Sequence, residues 1–124
     1  MGYTTEFQGH FDITPQPTGE ILQDLNNLAK ERHNNYEDED MPSLYCQWVS
    51  TKDGKGLKWD GGEKFYGYVK WLQYIIDQIL EPNAYKLNRK VQYRGEDFSD
   101  VGEIMVVNNE ISVKKIFSDE VAHG

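Results

Sequence analysis

Polar and apolar positions alternate at the start of the chain. Tyr3, Thr5, Phe7, Gly9, Phe11 and Ile13 fall on one side of an extended segment, and Thr4, Glu6, Gln8, His10 and Asp12 on the other. The pattern predicts a strand covered on one face. Pro15 and Pro17 break it by removing backbone donors, and Thr18 caps a predicted helix whose apolar side carries Ile21, Leu22, Leu25, Leu28 and Ala29. That helix is expected to fade by His33 into NNYEDED, residues 34 to 40, an aperiodic and acidic stretch that reads as an exposed linker. LYCQWVS (44 to 50) and GLKW (56 to 59) flank TKDGK, which predicts a hairpin with a glycine-containing turn and Trp48 and Trp59 near its two ends.

The pattern then changes to a helical period. Asp60 and Glu63 form a capping box, so a second helix is expected from Gly61 or Gly62 to Leu80, before Pro82. At 100 degrees per residue, Phe65, Val69, Leu72, Ile76 and Ile79 make its core stripe, with Tyr68 and Ile75 at the margin. Tyr74 points nearly opposite, and Tyr66 and Trp71 lie on the two flanks. These rings either cover the sheet edges or anchor a partner protein, because tyrosine and tryptophan dominate buried interface hot spots.

Tyr85 and Leu87 suggest a short strand followed by RKVQYR (89 to 94), and GEDFSDVG reads as an acidic loop. Near the end, Asn108 and Asn109 read as a two-residue turn that opposes Val106 to Ile111, Ile104 to Val113 and Glu103 to Lys114. The order strand, helix, strand, strand, helix, then two or three strands predicts an α+β fold. Its simplest form is a mixed or antiparallel sheet with two helices on one face, of ferredoxin-like type with an added C-terminal hairpin. Residues 1 to 117 are expected to form one domain and residues 118 to 124 a flexible tail.

Composition narrows the setting. A chain of 124 residues suits one domain with its own core. The single cysteine, Cys46, has no internal disulfide partner and no zinc-ligand spacing, and it reads as a core filler. The start, Met1-Gly2-Tyr3-Thr4-Thr5-Glu6, has neither the basic residues nor the apolar run of a signal peptide, and Glu6 spoils a partial myristoylation pattern. No apolar run is long enough to span a bilayer, so a cytoplasmic protein without membrane association is expected.

A net charge of −8 disfavours direct nucleic-acid binding and suits a basic partner surface. Residues 1 to 43 hold nine acidic and two basic side chains, residues 44 to 94 five and nine, and residues 95 to 124 seven and two. A positive middle between negative ends permits self-association.

Candidate chemistry is sparse. Glu96, Asp97 and Asp100 are carboxylates close enough in sequence to hold a divalent cation that activates water for hydrolysis of a phosphorylated metabolite, although EF-hand spacing is missing. Glu37, Asp38, Glu39 and Asp40, with the acidic 96 to 103 region, offer an anionic surface of the kind a nucleic-acid mimic presents. WDGGEK lacks the Lys-Ser/Thr of a phosphate loop, and Asp60 would occupy the anion-binding end. His10, His33 and His123 form no metal motif or catalytic triad, and no cofactor is expected.

MGYTTEFQGHF, WDGGEKFYGYVKWLQYIIDQIL and YRGEDFSDVGEIMVVNNEI together resemble a family of small, uncharacterised bacterial and bacteriophage proteins over nearly the whole domain. The resemblance supplies no catalytic residues, and it implies a host-factor binding role, including counter-defence. The leading expectation is a non-enzymatic protein-binding or self-associating domain that uses Tyr66, Trp71 and Tyr74, with the metal-assisted hydrolase and the acidic mimic as alternatives.

Overall fold

A computed structural model describes residues 4–31, 45–63, 65–97 and 99–116. The expected linker at 34–40 and the tail at 118–124 lie outside the described residues. The N-terminal alternation is present, with Thr5, Phe7, Phe11 and Ile13 buried. It is split at His10 into β1 (Glu6–Gly9) and β2 (Phe11–Thr14). Both strands pair with β5 (Lys86–Arg94) in one antiparallel register, Gly9 opposite Val91 and Asp12 opposite Asn88. The break coincides with positive φ at Gly9 (103°) and Arg89 (100°). There β2 leaves the line of β1 and also pairs with β4 (Gly56–Trp59), Phe11 opposite Leu57. The approach is so close that a Cβ on Gly56 would overlap the Phe11 carbonyl oxygen.

Helix α1 (Gly19–Lys30) begins where expected: Thr18 is its N-cap, and the Thr18 hydroxyl accepts from the Ile21 N–H. Ile21 and Leu25 are buried, and Leu22 and Leu28 pack at the margin of the core. Strand β3 (Trp48–Ser50) returns antiparallel to β4, with Trp48 opposite Trp59. The strand order is β3-β4-β2-β5-β6-β7, with β1 also on β5, and every pairing is antiparallel. Here β6 is Val101–Val107 and β7 is Glu110–Lys115. The fold is therefore α+β, a seven-stranded sheet with two helices. Leu87, Val91, Tyr93, Ile104 and Val106 share one sheet face with Phe7, Phe11 and Ile13, and the buried residues of both helices join them in one cluster. On the opposite face Glu6, Gln8, Lys90, Gln92 and Arg94 are exposed.

The second helix departs from expectation. No helix starts at Gly61 or Gly62; α2 spans Tyr68–Ile75 and follows Gly67, which is left-handed at φ 66°. The Asp60 carboxylate closes a tight turn instead, accepting from the Gly62 N–H at 2.7 Å. Glu63 contributes its carbonyl, which accepts from the buried Gln47 amide at 2.8 Å, while Gln47 Oε1 accepts from the Trp59 indole at 3.0 Å. The physical reason is Phe65. Its ring is buried edge-on against Trp48 (5.4 Å) and Phe7 (5.9 Å), and the long-range contacts that seat it override a favourable local cap.

Past Ile75 the coil widens into a π-helical turn, Ile76–Leu80, then tightens into a 3-10 turn, Glu81–Asn83, which carries Pro82. A π turn advances fewer degrees per residue, which brings Leu80 round to the core side. Further on, the two strand fragments expected around residue 88 form the single β5, and the final hairpin has the register the alternation predicts. Val106 faces Ile111, Ile104 faces Val113 and Glu103 faces Lys114. Asn108 and Asn109 turn the chain with φ of 47° and 73°, as a type I′ turn requires.

Candidate functional site

The three candidate rings, Trp71 and Tyr74 on α2 and Tyr66 just before it, sit at different depths. Trp71 is fully buried, Tyr74 is half-buried and packs edge-on against it (5.6 Å, 77°), and Tyr66 is 51% exposed. Trp71 is thus a core residue in this structure, not a flank residue as its angular position suggested. The buried set on this segment is Phe65, Trp71, Leu72, Ile75, Ile76 and Leu80, with Val69 and Ile79 only partly covered. That set is centred nearer Ile75 than a uniform helix from Gly61 would make it. The late start and the wide turn together rotate the stripe toward Trp71.

The acidic residues of the β5–β6 connection bond within the loop and to the N-terminal segment. Glu96 accepts from the Thr4 N–H, which ties the loop to the N-terminal segment. Asp97 Oδ1 accepts from the Ser99 N–H (3.0 Å) and hydroxyl (2.8 Å), and these bonds hold its carboxyl below the usual carboxylate range. Asp100 donates its N–H to the Asp97 carbonyl and accepts from the Gly95 N–H. No group of three or more His, Cys, Asp or Glu side chains among the described residues gathers in a metal-binding arrangement. Glu37, Asp38, Glu39 and Asp40 lie outside the described residues.

His10 Nε2 is 3.2 Å from one Asp12 oxygen, and Arg89 is 3.1 Å from the other, beside a shallow cleft lined in part by Asp53 and Lys55. All three side chains are well exposed, and exposed ion pairs of this kind contribute little. The thiol of Cys46 is pushed up to about 12 by burial, so at neutral pH it is a protonated core group.

The hairpin β6–β7 shows a feature that alternation alone did not single out. One turn residue is buried against the body, while each arm carries apolar side chains that stay exposed. Asn109 is 7% exposed and ties the turn to β5 and to the segment before it: its Oδ1 accepts from the Leu87 N–H (2.6 Å), and its Nδ2 donates to the Tyr85 carbonyl and the Glu81 carboxylate (2.9 Å each). Asn108 is held by Asn88, whose Oδ1 accepts from the Asn108 N–H at 2.9 Å. Beyond this anchor, Met105, Val107, Val113 and Ile116 are exposed, at 37, 52, 48 and 44%. The visible signal was a run of apolar residues at both parities of β6, Ile104-Met105-Val106-Val107, where a one-sided strand needs only alternate ones.

Comparison of the chain with protein-family descriptions, with curated proteins and with solved structures gives no match. No helix among the described residues is long and apolar enough to cross a membrane.

Proposed function

We propose that the chain is a non-enzymatic, cytoplasmic protein-binding or self-associating domain whose contact surface is the β6–β7 hairpin. One observation carries this reading. Of the six large apolar side chains exposed among the described residues, four (Met105, Val107, Val113 and Ile116) belong to this hairpin or its end, and only Tyr45 and Tyr66 lie elsewhere. Met105, Val107 and Ile116 share the outer face of the hairpin, and Val113 lies on its core-facing side at the open edge. Their clustering on one hairpin differs from the scatter of single exposed apolar residues that any protein shows. We read β3-β4-β2-β5 with α1 and α2 as a split β-α-β arrangement of ferredoxin-like type, to which β6 and β7 are appended as the binding element. Tyr66 and the outer side of Tyr74 are a secondary candidate contact, and a host factor is the partner class that the resemblance to bacteriophage proteins implies.

The test is recovery of partners from the native cell, identified by mass spectrometry, with wild type and the M105S/V107S double variant. Both side chains are exposed, so the variant is expected to unfold within about 0.5 kcal/mol of wild type while losing its specific partner protein. Equal recovery of that partner by both proteins would overturn Met105 and Val107 as its contact surface.

A further inference from the structure

We infer that the occupant of the β7 edge is a second copy of this chain, paired antiparallel to its own β7 with Glu110 opposite Lys114, Ile111 opposite Val113 and Ser112 opposite Ser112. The inference rests on the hairpin reading above and adds the partner and the register. β7 ends the strand order among the described residues, so its outer backbone groups face no strand there. Their identity follows from the ladder. The Ile116 N–H donates to the Val101 carbonyl, and inward bonding alternates along an antiparallel strand. Residues 110, 112 and 114 therefore bond to β6, and Ile111, Val113 and Lys115 direct their N–H and carbonyl groups outward.

A two-fold axis perpendicular to the sheet continues it with both cores on the same side, and it sets outward-bonding residues opposite one another. Few registers satisfy that condition. Centring the pair on Val113 places Ile111 against Lys115 and Ser112 against Lys114. Setting Val113 against Lys115 places Lys114 against its own copy, and centring on Ile111 leaves Glu110 against Ser112. Only the pairing of Ile111 with Val113 matches opposite charges at both ends. It also brings apolar side chains together twice on the core side, where Val113 is 48% exposed and Ile111 packs at the core margin. Edge lysines ordinarily discourage such pairing. Here Lys114 has an acidic counterpart across the axis, which turns a deterrent into a register key.

The experiment is light scattering on the full chain from micromolar to millimolar concentration, with a charge-swap cycle. Wild type is expected to dimerise. E110K and K114E should each weaken the dimer about tenfold or more, because each puts like charges opposite at two symmetric places. E110K/K114E should recover to within about threefold of wild type by restoring both matches. Lys114 also faces Glu103 within its own hairpin, so K114E carries a cost inside the monomer, and the double variant shares it. Recovery therefore reports the contact between copies.

A second arm fixes the register. In this pairing the two Ser112 residues form a non-hydrogen-bonded pair with Cα atoms about 4.5 Å apart, within disulfide reach. S112C treated with oxidised glutathione, which takes up the two electrons, should become a covalent dimer, and E110C should not. Buried Cys46 does not compete. The inference is overturned by a wild type that stays monomeric throughout, by a double variant as weak as the single ones, or by S112C that does not cross-link. A monomeric wild type that still captures another protein through Met105 and Val107 would sink self-pairing and leave the hairpin reading standing.

Discussion

At one end of the sheet, β3–β4 sends Trp48 and Leu57 fully into the core and holds its turn from the solvent side. Thr51 and Lys55 donate to Asp53 Oδ1 (2.5 and 3.0 Å), and Gly56 donates to the Thr51 hydroxyl (3.1 Å). At the other end, β6 also buries Ile104 and Val106, but the turn is held from the core side by a buried asparagine and Met105, Val107 and Val113 stay exposed along the arms. The first edge strand is only Trp48–Ser50 and packs against α1, while the second runs six residues, Glu110–Lys115. A short edge covered by a helix leaves little to pair with, whereas a long edge beside apolar side chains is a template for strand addition. Both hairpins feed the core, and the contrast is that only the second leaves a long edge and apolar side chains uncovered.

The largest effect expected from this contrast is at Trp48. Its ring meets Phe7, Phe11 and Phe65 at 5.2 to 5.6 Å, and its indole donates to the Tyr68 carbonyl at 2.8 Å, linking β3 to the first turn of α2. W48A should cost about 3–5 kcal/mol in urea unfolding. A loss below about 1 kcal/mol would contradict the stabilising role given to this hairpin.

Next comes Asn109. N109A removes three hydrogen bonds, two of them buried, strands the Leu87 N–H, and puts a Cβ residue without local polar compensation at φ 73°. A cost of about 2–3 kcal/mol is expected. N109G keeps the conformational freedom and isolates the side-chain contribution. Hydrogen exchange should show the Leu87 amide opening in both variants; unchanged protection would mean that the turn does not anchor the hairpin.

The smallest effect is at the solvent-side turn. The Thr51 hydroxyl, and then the Lys55 N–H, hold the Asp53 carboxyl below its ordinary value. A lowered folded-state value means stabilisation that is present above the ordinary carboxylate range and lost as pH falls through the lowered value. D53N should therefore differ slightly from wild type at neutral pH and converge with it in acid. A difference that grows as pH falls would reverse the sign and refute the assigned cause.

Legibility followed the range of the forces. Thr18 as a helix cap, the TKDGK turn and the Asn108-Asn109 register were readable because each depends on residues within a few positions. The start of α2 was not. Asp60 and Glu63 satisfy the local rule for a cap, yet burial of Phe65 between Phe7 and Trp48 takes that segment out of helix. Trp71 was misplaced for the same reason, since its angle was counted from a helix that begins later and widens at Ile76. The β1/β2 break was hidden because Gly9 fits an extended pattern as well as a bend.

What the sequence determined by itself is therefore local: which strand residues share a face, where the hairpins turn, and the absence of a readable catalytic motif. Tertiary structure decided which apolar groups are covered. Ile104 and Val113 belong to the same face and oppose each other, yet Ile104 is fully buried and Val113 is 48% exposed. Alternation gives a residue its face, but burial also needs a second layer above it. That layer comes from elements far away in the chain, and here it covers β6 and leaves the β7 edge open.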